Sequence, residues 1–108
     1  EHCQWFEKAI QSSQRKIYLI KYKNNAVGML RLDDIDSNSC EISILIAPQE
    51  QGKGFALLSL NALTTLKVTK DIYAYVHSDN LASHKLFQSA KFNKVSDNKY
   101  CLCLKCTD

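Results

Sequence analysis

Two of the chain's three glycines, Gly52 and Gly54, closely follow its only proline, in Pro48-Gln49-Glu50-Gln51-Gly52-Lys53-Gly54-Phe55-Ala56. Ahead of this stretch, Cys40 to Ala47 is short and apolar enough for a buried strand. Behind it, Phe55 to Leu66 is long and leucine-rich enough for a helix. A strand, a glycine turn and a helix start together make a cradle for an anion. Glycine adopts positive φ and lets the backbone come close to a ligand, while the unpaired amides and positive dipole end of a helix favour phosphate. The expected ligand carries a pyrophosphate.

The elements that must hold this turn can be read in order. His2, Trp5, Phe6, Ala9 and Ile10 fall at helical spacing, so the chain is expected to open in a helix that fades at Ser12-Ser13. Lys16 to Lys23 reads as a strand, Asn24-Asn25 as a tight turn and Ala26 to Leu32 as the hairpin partner. A second turn, Asp33 to Ser39, leads into the buried strand. After the glycine helix, Asp71 to His77 is another strand, and Asp79 or Asn80 caps a helix from Leu81 to about Ala90. Lys91 to Val95 and Tyr100 to Lys105 form a last hairpin. The expected fold is a mixed α/β (α+β) sheet, with antiparallel strands preceding a strand-helix-strand crossover.

Length and composition bound the rest. The 108 residues, 45% of them hydrophobic, suit one domain spanning 1–108 with one modest core. No apolar run approaches the roughly 20 residues of a membrane helix, and Glu1-His2-Cys3-Gln4-Trp5-Phe6 does not read as a signal peptide, so a soluble cytoplasmic protein without a membrane partner is expected. Net charge is +3, but the basic residues are dispersed, which gives no reason to expect nucleic acid. The five cysteines, Cys3, Cys40, Cys101, Cys103 and Cys106, lack the paired spacing of a zinc site and read as reduced, mostly structural thiols. No metal is expected.

The chain resembles the GNAT N-acetyltransferase family. That family's signature is Gln or Arg, two residues, Gly, one residue, then Gly or Ala, and it is met here by Gln49-Glu50-Gln51-Gly52-Lys53-Gly54. A second pattern of the family is matched by Asn80-Leu81-Ala82-Ser83-His84-Lys85-Leu86-Phe87, continuing to Ala90-Lys91-Phe92. The segments Glu1 to Phe6, Ser39 to Ile42, Ile72 to Val76 and Tyr100 to Lys105 are similar to the N-acetyltransferases of pseudaminic acid and related nonulosonate pathways. That similarity implies, as acceptor, an amino group on a nucleotide-linked sugar.

The resemblance implies acetyl-CoA as cosubstrate. The amides of Gln51, Gly52, Lys53, Gly54, Phe55 and Ala56 would wrap its pyrophosphate, with added charge from the Lys53 side chain. Its pantetheine arm would lie as an extra strand against Leu45, Ile46 and Ala47, where the two neighbouring strands splay apart. Asn80, Ser83 and Phe87 would face that arm. Glu41 is the carboxylate placed to deprotonate the amine, a backbone amide near Leu45 or Ile46 would meet the oxyanion, and Ser83 is a candidate proton donor.

Two departures from the family stand out. The usual strand and helix ahead of the segment holding Trp5 are absent, so an amino-terminally shortened chain is expected. Phe87 stands where many relatives carry a tyrosine that protonates the departing thiolate, and a phenyl ring donates no proton. Tyr100 or water could substitute, whereas His77 and His84 read as solvated and Tyr73 and Tyr75 as packing residues. A small-molecule amine is the expected partner, in a monomer or homodimer. A non-catalytic acyl-CoA-binding module and a protein or peptide acetyltransferase are the alternatives.

Overall fold

A computed structural model describes residues 6–66 and 68–103. The elements run β1 (Phe6–Gln11), β2 (Arg15–Tyr22), β3 (Asn25–Asp34), β4 (Ser39–Ile46), a 3-10 turn (Pro48–Glu50) and α1 (Phe55–Asn61). They continue through a second 3-10 turn (Leu63–Leu66), β5 (Asp71–Tyr75), α2 (Leu81–Ser89), β6 (Asn93–Ser96) and β7 (Lys99–Leu102). The strands form one sheet in the order β1-β2-β3-β4-β5-β7-β6, in which β4 and β5 run parallel and the other neighbours antiparallel. The mixed sheet and its crossover are thus as expected.

The opening helix is not. Phe6 to Gln11 pairs with β2 as an edge strand, in a register running from Phe6 opposite Ile20 to Gln11 opposite Lys16. Helical spacing required Phe6 and Ile10 to share a buried face, yet Phe6 is buried and Ile10 is 55% exposed. A strand at a sheet edge needs few apolar residues once its backbone groups are paired, so a sparse pattern was mistaken for a 3.6-residue period. His2 and Trp5, which completed that pattern, lie outside the described residues, as do Lys105 and Cys106.

The first hairpin turns one residue earlier than its asparagines suggest. Lys23 and Asn24 take φ of +51° and +71°, and Tyr22 pairs with Asn25. Two consecutive positive φ values match the right-handed twist of the flanking strands.

Alternation along the register sends Leu30, Leu32, Cys40, Ile42, Ile72, Ala74 and Tyr100 to one face. There they pack with Phe55, Leu60 and Leu63 of the α1 segment and with Phe87 and Phe92. Burial pushes the Cys40 thiol up from 9.0 to about 11, so near neutral pH it is a neutral packing group.

Gly28, the third glycine, is required by what lies opposite it. It pairs with Ile46, and a Cβ there would come within 2.4 Å of the Leu45 carbonyl oxygen and 2.9 Å of Ile46 Cδ1. Gly28→Ala is expected to cost about 1–3 kcal/mol by forcing β3 and β4 apart. Urea unfolding of the two proteins measures it.

The end of α2 explains the Ala90-Lys91-Phe92 pattern. Lys91 adopts φ +71° and donates its N–H to Gln88 O, while Phe92 donates to Phe87 O and the two phenyl rings meet edge to face at 5.1 Å. These paired bonds and the ring contact form a Schellman cap with lysine at the left-handed position. Lys91→Gly is therefore expected to stabilise the fold by roughly 1 kcal/mol, read as a raised melting temperature in calorimetry.

Candidate functional site

β4 and β5 pair at only three positions, Ser39 with Asp71, Cys40 with Ile72 and Glu41 with Tyr73. Beyond Glu41 they diverge. Composition reads Cys40 to Ala47 as a buried strand, while the resemblance implies a splay at Leu45 to Ala47; the strands part there, already after Glu41, and Leu45 is 63% exposed. A cleft of about 220 Å³ fills the gap, lined from β4 by Glu41, Ile42, Ser43 and Ile44, from the end of β5 by Tyr75, Val76 and His77, and from α2 by Asn80, Ser83 and Phe87. Register places Glu41 on the same face as Tyr73 and Tyr75, opposite the face that α2 covers. The cleft therefore opens to both sides of the sheet.

Each side chain is placed by local chemistry. Asn80 caps α2 by accepting the Ser83 N–H on Oδ1 at 3.1 Å, which commits its oxygen to the helix and fixes the residue on the cleft wall. Ser83 and Phe87 follow one helical turn apart. Phe87 is buried, stacked on Tyr100 with centroids 6.1 Å apart, so it is a core ring with one edge in the cleft. Glu41 is half-buried and makes no ion pair among the described residues. Among the described residues it is the only carboxylate on the cleft wall.

The loop after β4 has the expected glycine geometry. Gly52 and Gly54 take φ of +81° and +85°, with open space where a Cβ would stand. Gly54 caps α1, whose first internal bond runs from Leu58 N–H to Gly54 O, so the amides from Gly52 to Ala56 lie ahead of the helical ladder. The Gln51 amide departs from expectation, since it is used in the 3-10 turn, donating to Pro48 O at 3.3 Å. The Lys53 ammonium is held at 3.0 Å by Glu50, which offsets part of its charge.

Gln51 has a further part that sequence reading missed. Its side-chain amide donates to Ile46 O at 3.1 Å, tying the loop to the open end of β4. The Gln-x-x-Gly-x-Gly/Ala spacing is met a second time, two residues on, by Gln51-Gly52-Lys53-Gly54-Phe55-Ala56. This second register assigns the leading glutamine to the side chain that reaches β4.

Three readings of single residues change. Tyr100 does not line the cleft; it is fully buried, with its hydroxyl 2.7 Å from His84 Nδ1 and accepting from Gln88 Nε2 at 3.4 Å. His84 is accordingly a half-buried partner of Tyr100 and not a solvated side chain. Tyr75, read as packing, is 51% exposed at the cleft mouth. His77 is exposed, as expected, and accepts the Asp79 N–H on Nδ1 at 3.3 Å.

Comparison with known proteins adds the following. A family model described as an acetyltransferase (GNAT) domain matches residues 1–93. Acetyltransferase PseH of Campylobacter jejuni (serotype O:23/36, strain 81-176) is 31% identical over all of this chain and 71% of its own length. Spermidine N(1)-acetyltransferase of Vibrio cholerae is 28% identical over 82% of this chain and 63% of its own. A Vibrio cholerae spermidine N-acetyltransferase solved with CoA and spermine superposes with a TM-score of 0.68 at 27% identity, over 78% of this chain and 54% of that one. The chain thus spans about half of that solved relative.

Proposed function

Because the chain belongs to the GNAT acetyltransferase family, we propose that it transfers the acetyl group of acetyl-CoA to the amine of a small acceptor, a nucleotide-linked amino sugar. The observation that carries this reading is the two-sided cleft. It brings Glu41 from one face of the sheet and Asn80, Ser83 and Phe87 from the other into a single space, and the glycine loop is tied to the open end of the same β4.

The loop from Gly52 to Ala56 binds the pyrophosphate through main-chain amides and the positive start of α1. Leu45, Ile46 and Ala47 offer the pantetheine arm the strand edge that β5 leaves open, with the Ala47 N–H already given to Val27 O and the Ile46 carbonyl shared with Gln51, and Asn80 and Phe87 flank it from α2. An alkyl amine is largely protonated near neutral pH and must lose a proton before it can attack. Glu41 takes that proton. The nitrogen forms a bond to the thioester carbonyl carbon, the carbon–sulfur bond breaks with the electron pair leaving on sulfur, and the now positively charged nitrogen sheds a second proton that ends on the thiolate. A thiolate whose conjugate acid has a pKa near 8.5 leaves readily enough that Ser83 or water suffices to protonate it, which accommodates Phe87.

Release of free thiol from acetyl-CoA tests the reading, with nucleotide-linked amino sugars, spermidine and a peptide amine offered in parallel. Turnover confined to the amino sugars is the expected result. Binding of coenzyme A without thiol release from any acceptor would favour a non-catalytic acyl-CoA module, the role that the missing phenol at Phe87 makes conceivable.

A further inference from the structure

A second, shallower depression of about 390 Å³ adjoins the cleft past the end of β5, formed by Tyr75, Val76, His77, Ser78 and Asn98. Tyr75, Val76 and His77 belong to both cavities, so the half-exposed Tyr75 ring stands where one passes into the other. Lys99, paired with Tyr75 across β5 and β7, holds its ammonium 5.4 Å from that ring's centroid and 4.6 Å from that of Tyr73. Among the described residues Lys99 has no carboxylate within ion-pair distance. Among those residues its charge is met by aromatic faces, which leave it available to an incoming anion.

An exposed aromatic ring beside an uncommitted cation, with the Ser78 hydroxyl nearby, suits a flat heterocycle bearing phosphate. It does not suit a polycation. A chain of ammonium groups needs several carboxylates, and among the described residues the cleft wall supplies only Glu41.

We propose that Tyr75 and Lys99 are the acceptor-specificity element: the ring stacks on the base, and the ammonium meets the phosphates, of a nucleoside diphosphate whose attached sugar amine reaches Glu41. This assignment rests on the acetyltransferase reading with a nucleotide-linked acceptor and adds to it the two residues that select the nucleotide.

Calorimetry with the full-length protein tests it. Coenzyme A is titrated first, and uridine diphosphate is then titrated into the coenzyme A-saturated protein, so that the loop after β4 is already filled. Expected are binding of the probe to the loaded protein, a loss of about tenfold or more in its affinity in Tyr75→Ala and in Lys99→Gln, and recovery in Tyr75→Phe and Lys99→Arg. Coenzyme A affinity should stay unchanged throughout. Probe binding that is absent from the loaded protein, or the same in all four variants, would overturn this assignment and leave the acetyltransferase reading standing. Failure of coenzyme A itself to bind would overturn both.

Discussion

Glu41→Gln is expected to lower kcat/KM for the amine acceptor by about 10²–10⁴-fold while leaving coenzyme A affinity unchanged, the range typical of losing a positioned general base. No other carboxylate among the described residues lines the cleft, so none of them can take over the role. The substitution keeps size and shape, and Glu41 makes no ion pair among the described residues, so the fold should tolerate it. The pH profile separates this from a structural loss. With the carboxylate gone, the rate should climb steadily with pH as solvent supplies more free amine, whereas a damaged cleft would be slow at every pH. A variant within threefold of wild type would assign the deprotonation elsewhere.

Gly54→Val should weaken coenzyme A binding by about a hundredfold or more. At φ +85° a β-branched side chain is strained by roughly 1–2 kcal/mol, which urea unfolding would register as a modest loss of stability. The larger effect is on the ligand. Nothing lies within 4 Å of the position a Cβ would take, so the valine methyls would project into the space a phosphate needs. Hydrogen bonds to a charged group contribute about 1.5–3 kcal/mol each, and displacing the ligand from one or two amides accounts for the predicted factor. Titration calorimetry on the folded variant gives the answer directly. Unaltered affinity would mean that the pyrophosphate sits elsewhere.

What could be read in the amino-acid order was whatever local chemistry settles. The Pro48 to Ala56 turn, the Asn80 cap and the strands flanking them each carry their own signal within a few residues. Gly28 carries none, because its need for a missing Cβ comes from Leu45 and Ile46 on the next strand. The bond between His84 and Tyr100 joins residues 16 apart in sequence, and only α2 lying over β7 brings them together. Leu45 looked buried because composition cannot show where two parallel strands part. Phe6 to Gln11 misled for a related reason, since at a sheet edge the backbone sets the conformation and the side chains leave little trace of it.

The three rungs between β4 and β5 are a narrow parallel seam, joining a four-stranded blade to a three-stranded one. A cosubstrate lying along that seam would clasp both blades, so part of its binding energy would appear as mechanical closure. Mass action sets the scale: at a hundredfold excess over Kd, a ligand that binds only the folded form adds about 2.7 kcal/mol to stability. Amide hydrogens along the seam should then be the ones whose exchange slows most when the ligand arrives.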